Sequence, residues 1–227
     1  MCVVDHDARD DSTGGTLTGM TAPVYLVRHG EALNPDHLVY ADLPGFGLSD
    51  RGREEALAAA DRLGAVAAVV TSPLTRARET AVVIAEPSAI DPIVDSELTE
   101  WLLLRRWRGH RWEALDAAFP NELAAYLADP SDLPFSPESL GELARRSAGA
   151  ARRWRAAVAG PLVIVSHQDP VQAARLALTG RPVSGLHDDK PEHGSIIELA
   201  AGEHPWTEQG SWSPEPIERH SPSAGAS

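Results

Sequence analysis

The chain has almost no cysteine and almost no lysine. Cys2 is the single cysteine of 227 residues, so neither an intramolecular disulfide nor a cysteine-rich metal site can be built. Lys190 is the one lysine, and the remaining basic residues are arginine. A GC-rich genome produces the same bias, but arginine also supplies a planar fork that matches phosphate oxygens. No apolar run approaches bilayer length. Asp5, Asp7, Asp10 and Asp11 stand where a signal peptide would place its apolar stretch, so the sequence reads as a cytoplasmic protein. The net charge of −13 repels nucleic acid and anionic membranes at long range. It also repels a phosphorylated substrate, so an anion site here has to be a local concentration of positive charge.

The length suits one domain with a large core. Residues 1–20 are polar and aperiodic and read as a disordered tail, with Met20 a candidate true start. Residues 21–202 read as the folded domain. Residues 203–227, rich in Pro, Ser, Glu and Gly, read as a C-terminal tail. Within the domain, strand-like and helix-like segments alternate. Val24–Val27, Ala67–Val70, Leu162–Val165 and Ser195–Leu199 have the short apolar character of strands. Helices are expected over 53–63, capped by Ser49 or Asp50, and over 74–85 and 170–178. A mainly helical insertion occupies about 97–158, its clearest helices at 112–127 and 138–158. This alternation predicts a three-layer α/β/α sandwich with a mainly parallel central sheet. Such folds bind ligands at the carboxyl ends of the strands.

Three strand ends carry candidate chemistry. Arg28-His29-Gly30 follows the first strand. A histidine there can attack phosphorus if one ring nitrogen is unprotonated and the other is held by a fixed acceptor. Gly30 would let the backbone turn and a phosphate come close. Thr71-Ser72-Pro73 follows the second strand and opens a helix, whose N-terminus favours anions and whose first turn holds Arg76. Ser166-His167-Gln168-Asp169 follows the third. Each also has a plainer reading: an exposed or structural histidine, an Arg–Glu helix face, a turn and cap before Pro170. A phosphate ester also needs a proton for its leaving oxygen. Glu97 and Glu100, beside apolar Trp101, are both candidates for that role.

Taken together these pieces resemble the histidine phosphatase superfamily, which includes the phosphoglycerate mutases. The matching segments are Leu-Val-Arg-His-Gly-Glu at 26–31, Leu-Ser-x-x-Gly at 48–52, Thr-Ser-Pro-Leu-x-Arg-Ala-x-Glu-Thr at 71–80, Leu-x-Glu at 98–100 and Val-Ser-His at 165–167. Asn34-Pro35, the run 42–49 and Ser166-His167-Gln168 look like a bacterial phosphatase-like branch. The resemblance implies His29 as the nucleophile, Arg28, Arg76 and His167 as phosphoryl-binding groups, and Glu100 as acid and then base. Asn34, one residue earlier than the usual asparagine, would also touch phosphate. It implies neither a metal nor another cofactor, because the cationic cluster supplies the electrostatics.

The expected activity is hydrolysis of a small phosphorylated metabolite through phosphohistidine. Alternatives are a phosphoglycerate-type mutase and a catalytically idle binding protein of the same fold. The sequence leaves a homodimer open. After Glu100 it departs from the family: Trp101, Trp107 and Trp112 interleave with Arg105, Arg106, Arg108 and Arg111. That segment reads either as a lid that stacks on substrate and attracts anions, or as a core edge with arginines snorkelling outward.

Overall fold

The computed structural model describes residues 22–215; the N-terminal tail and Met20 lie outside them. In chain order the main elements are β1 Val24–Arg28, α1 Asp50–Leu63, β2 Ala68–Thr71, α2 Thr75–Ala85, β3 Ile93–Val94, α3 Leu103–Trp107, α4 Leu115–Ala118, α5 Glu122–Ala128, α6 Leu140–Ala157, β4 Leu162–Ser166, α7 Gln168–Leu178, β5 Ile196–Ala200 and β6 Thr207–Trp212.

The strands form one mixed sheet in the order β3-β2-β4-β1-β5-β6. β1, β2, β3 and β4 run parallel, and β5 and β6 are antiparallel additions at one side. Alternation along the strands feeds two faces, as a pleated sheet requires. Leu26, Val70 and Ile164 pack with α6 and α7, while Val27, Val69 and Val163 pack with α1 and α2. The three layers expected from the sequence are therefore present.

α1 starts where Ser49 accepts a hydrogen bond from Gly52 N at 3.0 Å. α6 starts with a reciprocal capping box between Ser139 and Glu142. The single helix expected over 112–127 is instead broken into a short 3-10 turn, α4 and α5. Pro120 cannot donate to a continuing helix and restricts Phe119 before it. Asn121 then takes a left-handed φ of 67°. This region builds its own apolar cluster, centred on Trp101, Leu103, Trp107, Leu115 and Tyr126, and rests on α6 and α7 through Leu143 and Ala173.

The C-terminal tail also needs correction, because part of it is sheet. Trp206 is 7% exposed and packs in the core against β5 and α7 neighbours, and β6 pairs with β5 over Ile196↔Trp212 to Ala200↔Thr207. Thr-Glu-Gln-Gly-Ser-Trp has no apolar alternation because it is an edge strand with little to bury. The two-residue β3 escaped notice for the same reason, as both its residues are exposed.

Candidate active site

The parallel register places three strand ends side by side. Arg28 is opposite Ser166 on β4, and Val165 is opposite Thr71 on β2. The chain continues that alignment one step further: His29 N donates to Ser166 O at 3.0 Å and Ser72 N to Val165 O at 3.0 Å. His29, Ser72 and His167 therefore emerge at one edge. The rings of His29 and His167 are edge-to-face with centroids 5.0 Å apart.

His29 is 2% exposed. Arg76 Nε, which can only donate, donates a hydrogen bond to His29 Nε2 at 3.1 Å. Nδ1 therefore carries the ring proton and donates to Gly30 O at 2.7 Å. Burial and the surrounding Arg76, His167 and Arg28 hold the imidazole neutral, far below the usual histidine range. Gly30 is needed for a reason other than a sharp turn. A side chain there would meet Gly52 O at 2.2 Å, and one at Gly52 would meet Glu31 O at 2.0 Å. Two glycines thus let the first turn of α1 pack directly on the loop that carries His29.

Arg76 projects from the first turn of α2 back over the sheet edge and is 1% exposed. Its guanidinium donates to Ala41 O at 3.0 Å and lies 4.5 Å from the centre of the Tyr40 ring. Arg28 donates to Pro191 O at 2.9 Å and contacts His193 Nε2 at 2.7 Å. His167 Nε2 is 2.7 Å from Ser72 Oγ. Two buried polar atoms at this edge, Arg28 Nε and His167 Nδ1, have no hydrogen-bond partner among the described residues. Native interiors rarely leave such atoms unpaired, and the exceptions cluster at functional sites.

Of the two candidate acids, Glu100 is the one at this edge. It is 9% exposed, its Oε1 accepts from Trp101 N at 2.8 Å, and its Oε2 is 4.0 Å from His167 Nδ1. Burial first, and then the negative charge of Asp169, push its carboxyl up to about 7. Glu97 is exposed and lines a separate groove against α6. Asn34 lines the cavity in front of His29, but its amide closes the 34–38 loop: Nδ2 donates to Leu38 O and Oδ1 accepts from Leu38 N. The amide thus braces the cavity wall.

The segment 101–112 resolves into its plainer alternative. Trp101 and Trp107 are 1% and 0% exposed, with their indole N–H groups on Glu138 O and Glu122 Oε2. Arg105 and Arg108 pair with Asp42, Arg106 with Glu122, and Arg111 with Asp36. Residues 109–112 also exchange backbone hydrogen bonds with His37 and Val39. The segment therefore holds down the 36–42 loop, which carries Tyr40 and Ala41 to Arg76. Of its residues, Leu104 and Trp112, the latter 37% exposed, border the cavity.

Several site residues carried no signal in the sequence. His193 sits three residues before β5, and its ring centroid is 5.6 Å from that of His29. Burial and Arg28 lower it to about 3, so it stays neutral. Its position just ahead of a strand was the available clue. Arg146 on α6 donates to the carbonyls of Glu97, Thr99 and Glu100 and to the Glu138 carboxylate. Glu138 in turn accepts from Leu102 N. Asp169 is bonded by both Lys190 Nζ, at 2.8 Å, and Tyr126 Oη, at 3.2 Å. Among the described residues, no cluster of three or more His, Cys, Asp or Glu side chains is arranged to hold a metal ion.

The model of the histidine phosphatase superfamily (branch 1) matches residues 24–211. The chain belongs to that superfamily. A glucosyl-3-phosphoglycerate phosphatase of Mycolicibacterium vanbaalenii is 35% identical over 169 residues, covering 70% of this chain and 74% of that one. The same-named protein of Mycobacterium tuberculosis is 30% identical over 204 residues, covering 83% and 86%. Among solved structures, the mycobacterial glucosyl-3-phosphoglycerate phosphatase in complex with VO3 superposes with a TM-score of 0.75 at 28% identity. It covers 86% of this chain and 100% of that chain. With phosphatases among its relatives by sequence and by structure, this histidine phosphatase is an enzyme of the phosphoric monoester hydrolase class. No helix among the described residues is long and apolar enough to cross a membrane.

Proposed function

We propose that this histidine phosphatase hydrolyses small phosphomonoesters through a covalent phosphohistidine at His29 Nε2. The observation that carries the reading is the pair of buried nitrogens without a hydrogen-bond partner among the described residues, Arg28 Nε and His167 Nδ1, at the same sheet edge as a neutral imidazole. With the Ser72 hydroxyl donating to His167 Nε2, the ring proton sits on Nδ1, where a phosphoryl oxygen can accept it. Arg76 covers the His29 lone pair at rest. A phosphoryl group offers Arg76 charged oxygens in place of a neutral nitrogen, and charge-assisted bonds are about twice as strong. Moving onto those oxygens frees Nε2.

The first step then forms the Nε2–P bond and breaks the P–O bond of the ester. Glu100, protonated because it is buried near Asp169, gives its proton to the departing oxygen. In the second step water attacks phosphorus and its proton goes to the Glu100 carboxylate. The N–P bond breaks, and His29 returns to its neutral Nδ1–H form. Arg28, Arg76 and His167 stabilise the charge on the transferring group throughout.

His29→Ala should lower kcat/KM for p-nitrophenyl phosphate by at least about 10³-fold with the fold intact, as expected for removal of a nucleophile. Quenched wild-type enzyme should carry acid-labile label from a ³²P-ester, and the variant none. Label retained in the variant, or near-normal turnover by it, refutes His29 as the nucleophile.

A further inference from the structure

The cavity in front of His29 has a volume of about 270 Å³. Its charged lining is short: Arg28, Glu100 and Asp169. Arg28 lies at the phosphoryl end, tied to Pro191 O and His193. Among the described residues, no other arginine or lysine lines the cavity. The arginines of the 101–112 segment are outside its lining, turned onto Asp36, Asp42 and Glu122. Lys190 is bonded to Asp169 and Tyr126. The histidines of the lining are accounted for as well: His29 and His193 are held neutral by burial and nearby arginines, and His37 is exposed. Most of the remaining lining is apolar or aromatic (Leu38, Val39, Tyr40, Leu104, Trp112 and Tyr126), beside the uncharged polar Asn34 and Gln168.

A second anionic group on the substrate would therefore enter a wall of apolar and aromatic side chains. The acidic groups nearest that wall, Glu100 and Asp169, bring no cation to receive it, because Lys190 is already committed to Asp169. Burying an unpaired carboxylate or phosphate is strongly unfavourable, and like charges across a site cost several kcal/mol. An uncharged leaving group with a flat or apolar face meets no such penalty and gains by stacking and burial.

We propose that the substrate is a phosphomonoester whose alcohol portion is uncharged and carries an apolar or aromatic face, and that phosphoglycerate-type esters and bisphosphates are discriminated against. This rests on the phosphatase reading above. It separates this chain from the relatives named glucosyl-3-phosphoglycerate phosphatase, because a phosphoglycerate carries a carboxylate. It also weighs against a phosphoglycerate-type mutase, whose bisphosphate brings a second phosphate into the same space.

The test uses two matched pairs, assayed side by side under one set of conditions. One pair is benzyl phosphate against 4-carboxybenzyl phosphate, and the other is glycerol 3-phosphate against 3-phosphoglycerate. In each pair, kcat/KM is expected to be at least about tenfold higher for the uncharged member, a difference equivalent to ~1.4 kcal/mol. Benzyl phosphate should exceed glycerol 3-phosphate. Leu104→Arg, which adds a cation to the cavity wall, should narrow the benzyl pair ratio. Equal or faster cleavage of the carboxylated members, with p-nitrophenyl phosphate still turned over, overturns the substrate class and leaves the phosphatase reading standing. A panel in which no ester is cleaved, p-nitrophenyl phosphate included, overturns the phosphatase reading and this inference with it.

Discussion

Glu100 is the residue whose chemistry depends most on its surroundings. Its carboxyl is buried, faces the Asp169 carboxylate, and is moved up to about 7 despite Arg76 and Arg28. A raised carboxyl keeps its proton at neutral pH, so it can protonate an alkoxide; as pH rises through about 7 that proton is lost. Cleavage of alkyl phosphates should therefore fall on the basic side of a limb near 7. p-Nitrophenyl phosphate, whose leaving group barely needs a proton, should show a weaker limb. Removing the negative charge in Asp169→Asn favours the ionised form of Glu100, and the limb should move to lower pH. Lys190, left without its carboxylate partner, pushes in the same direction. Glu100→Gln should lose the limb for alkyl esters altogether. A pH–kcat/KM profile on glycerol 3-phosphate checks all three, and an unmoved limb in Asp169→Asn would show that Asp169 does not tune the acid.

At the scale of elements, the acid stands on a short irregular segment that needs an outside support. Arg146 on α6 bridges three carbonyls of residues 97–100, and its partner Glu138 fastens Leu102. Lysine can replace the charge but not the fork that spans these acceptors. Arg146→Lys should slow alkyl esters by at least about tenfold, since misplacing a reacting group by 1 Å costs up to ~10². KM and p-nitrophenyl phosphate turnover should change less. If both esters slow equally in a folded variant, Arg146 only stabilises and does not position. None of this clamp was legible in the sequence, because its members lie at 97–102, 138 and 146 and meet only through packing. The strand ends were legible, since a buried apolar run followed by Arg-His-Gly or Ser-His marks both the strand and its chemistry. The 101–112 segment stays an open choice in the sequence because interleaved Trp and Arg look the same whether the arginines face substrate or face Asp36 and Asp42. The pairing that decides it comes from a loop about seventy residues earlier.

Across the whole molecule, the site is an electropositive point set in a chain of net charge −13, and the sheet that aligns its strand ends extends further than the apolar pattern suggested. β6 covers the β5 edge, Trp206 fills the core against α7, and Glu208 bonds both Arg175 and Arg181. Arg175 is itself 5% exposed, so loss of Glu208 would leave a buried guanidinium with only Asp189 as a charged partner. Losing a buried Trp side chain costs about 3–5 kcal/mol, and breaking a buried ion pair a similar amount. Together these approach the whole stability of an ordinary domain, about 5–15 kcal/mol. A chain ended at residue 202 should therefore lose its cooperative thermal transition and its near-UV circular dichroism. Trp206→Ala alone should melt roughly 6–20 °C lower, taking about 2–4 °C per kcal/mol for a domain of this size. Because β5 pairs directly with β1, the strand that leads into His29, the truncated chain should lose phosphatase activity together with its fold. A truncated protein that melts cooperatively within about 5 °C of the full chain would show that β6 is an ornament on the sheet and that the histidine site is held by the parallel strands alone.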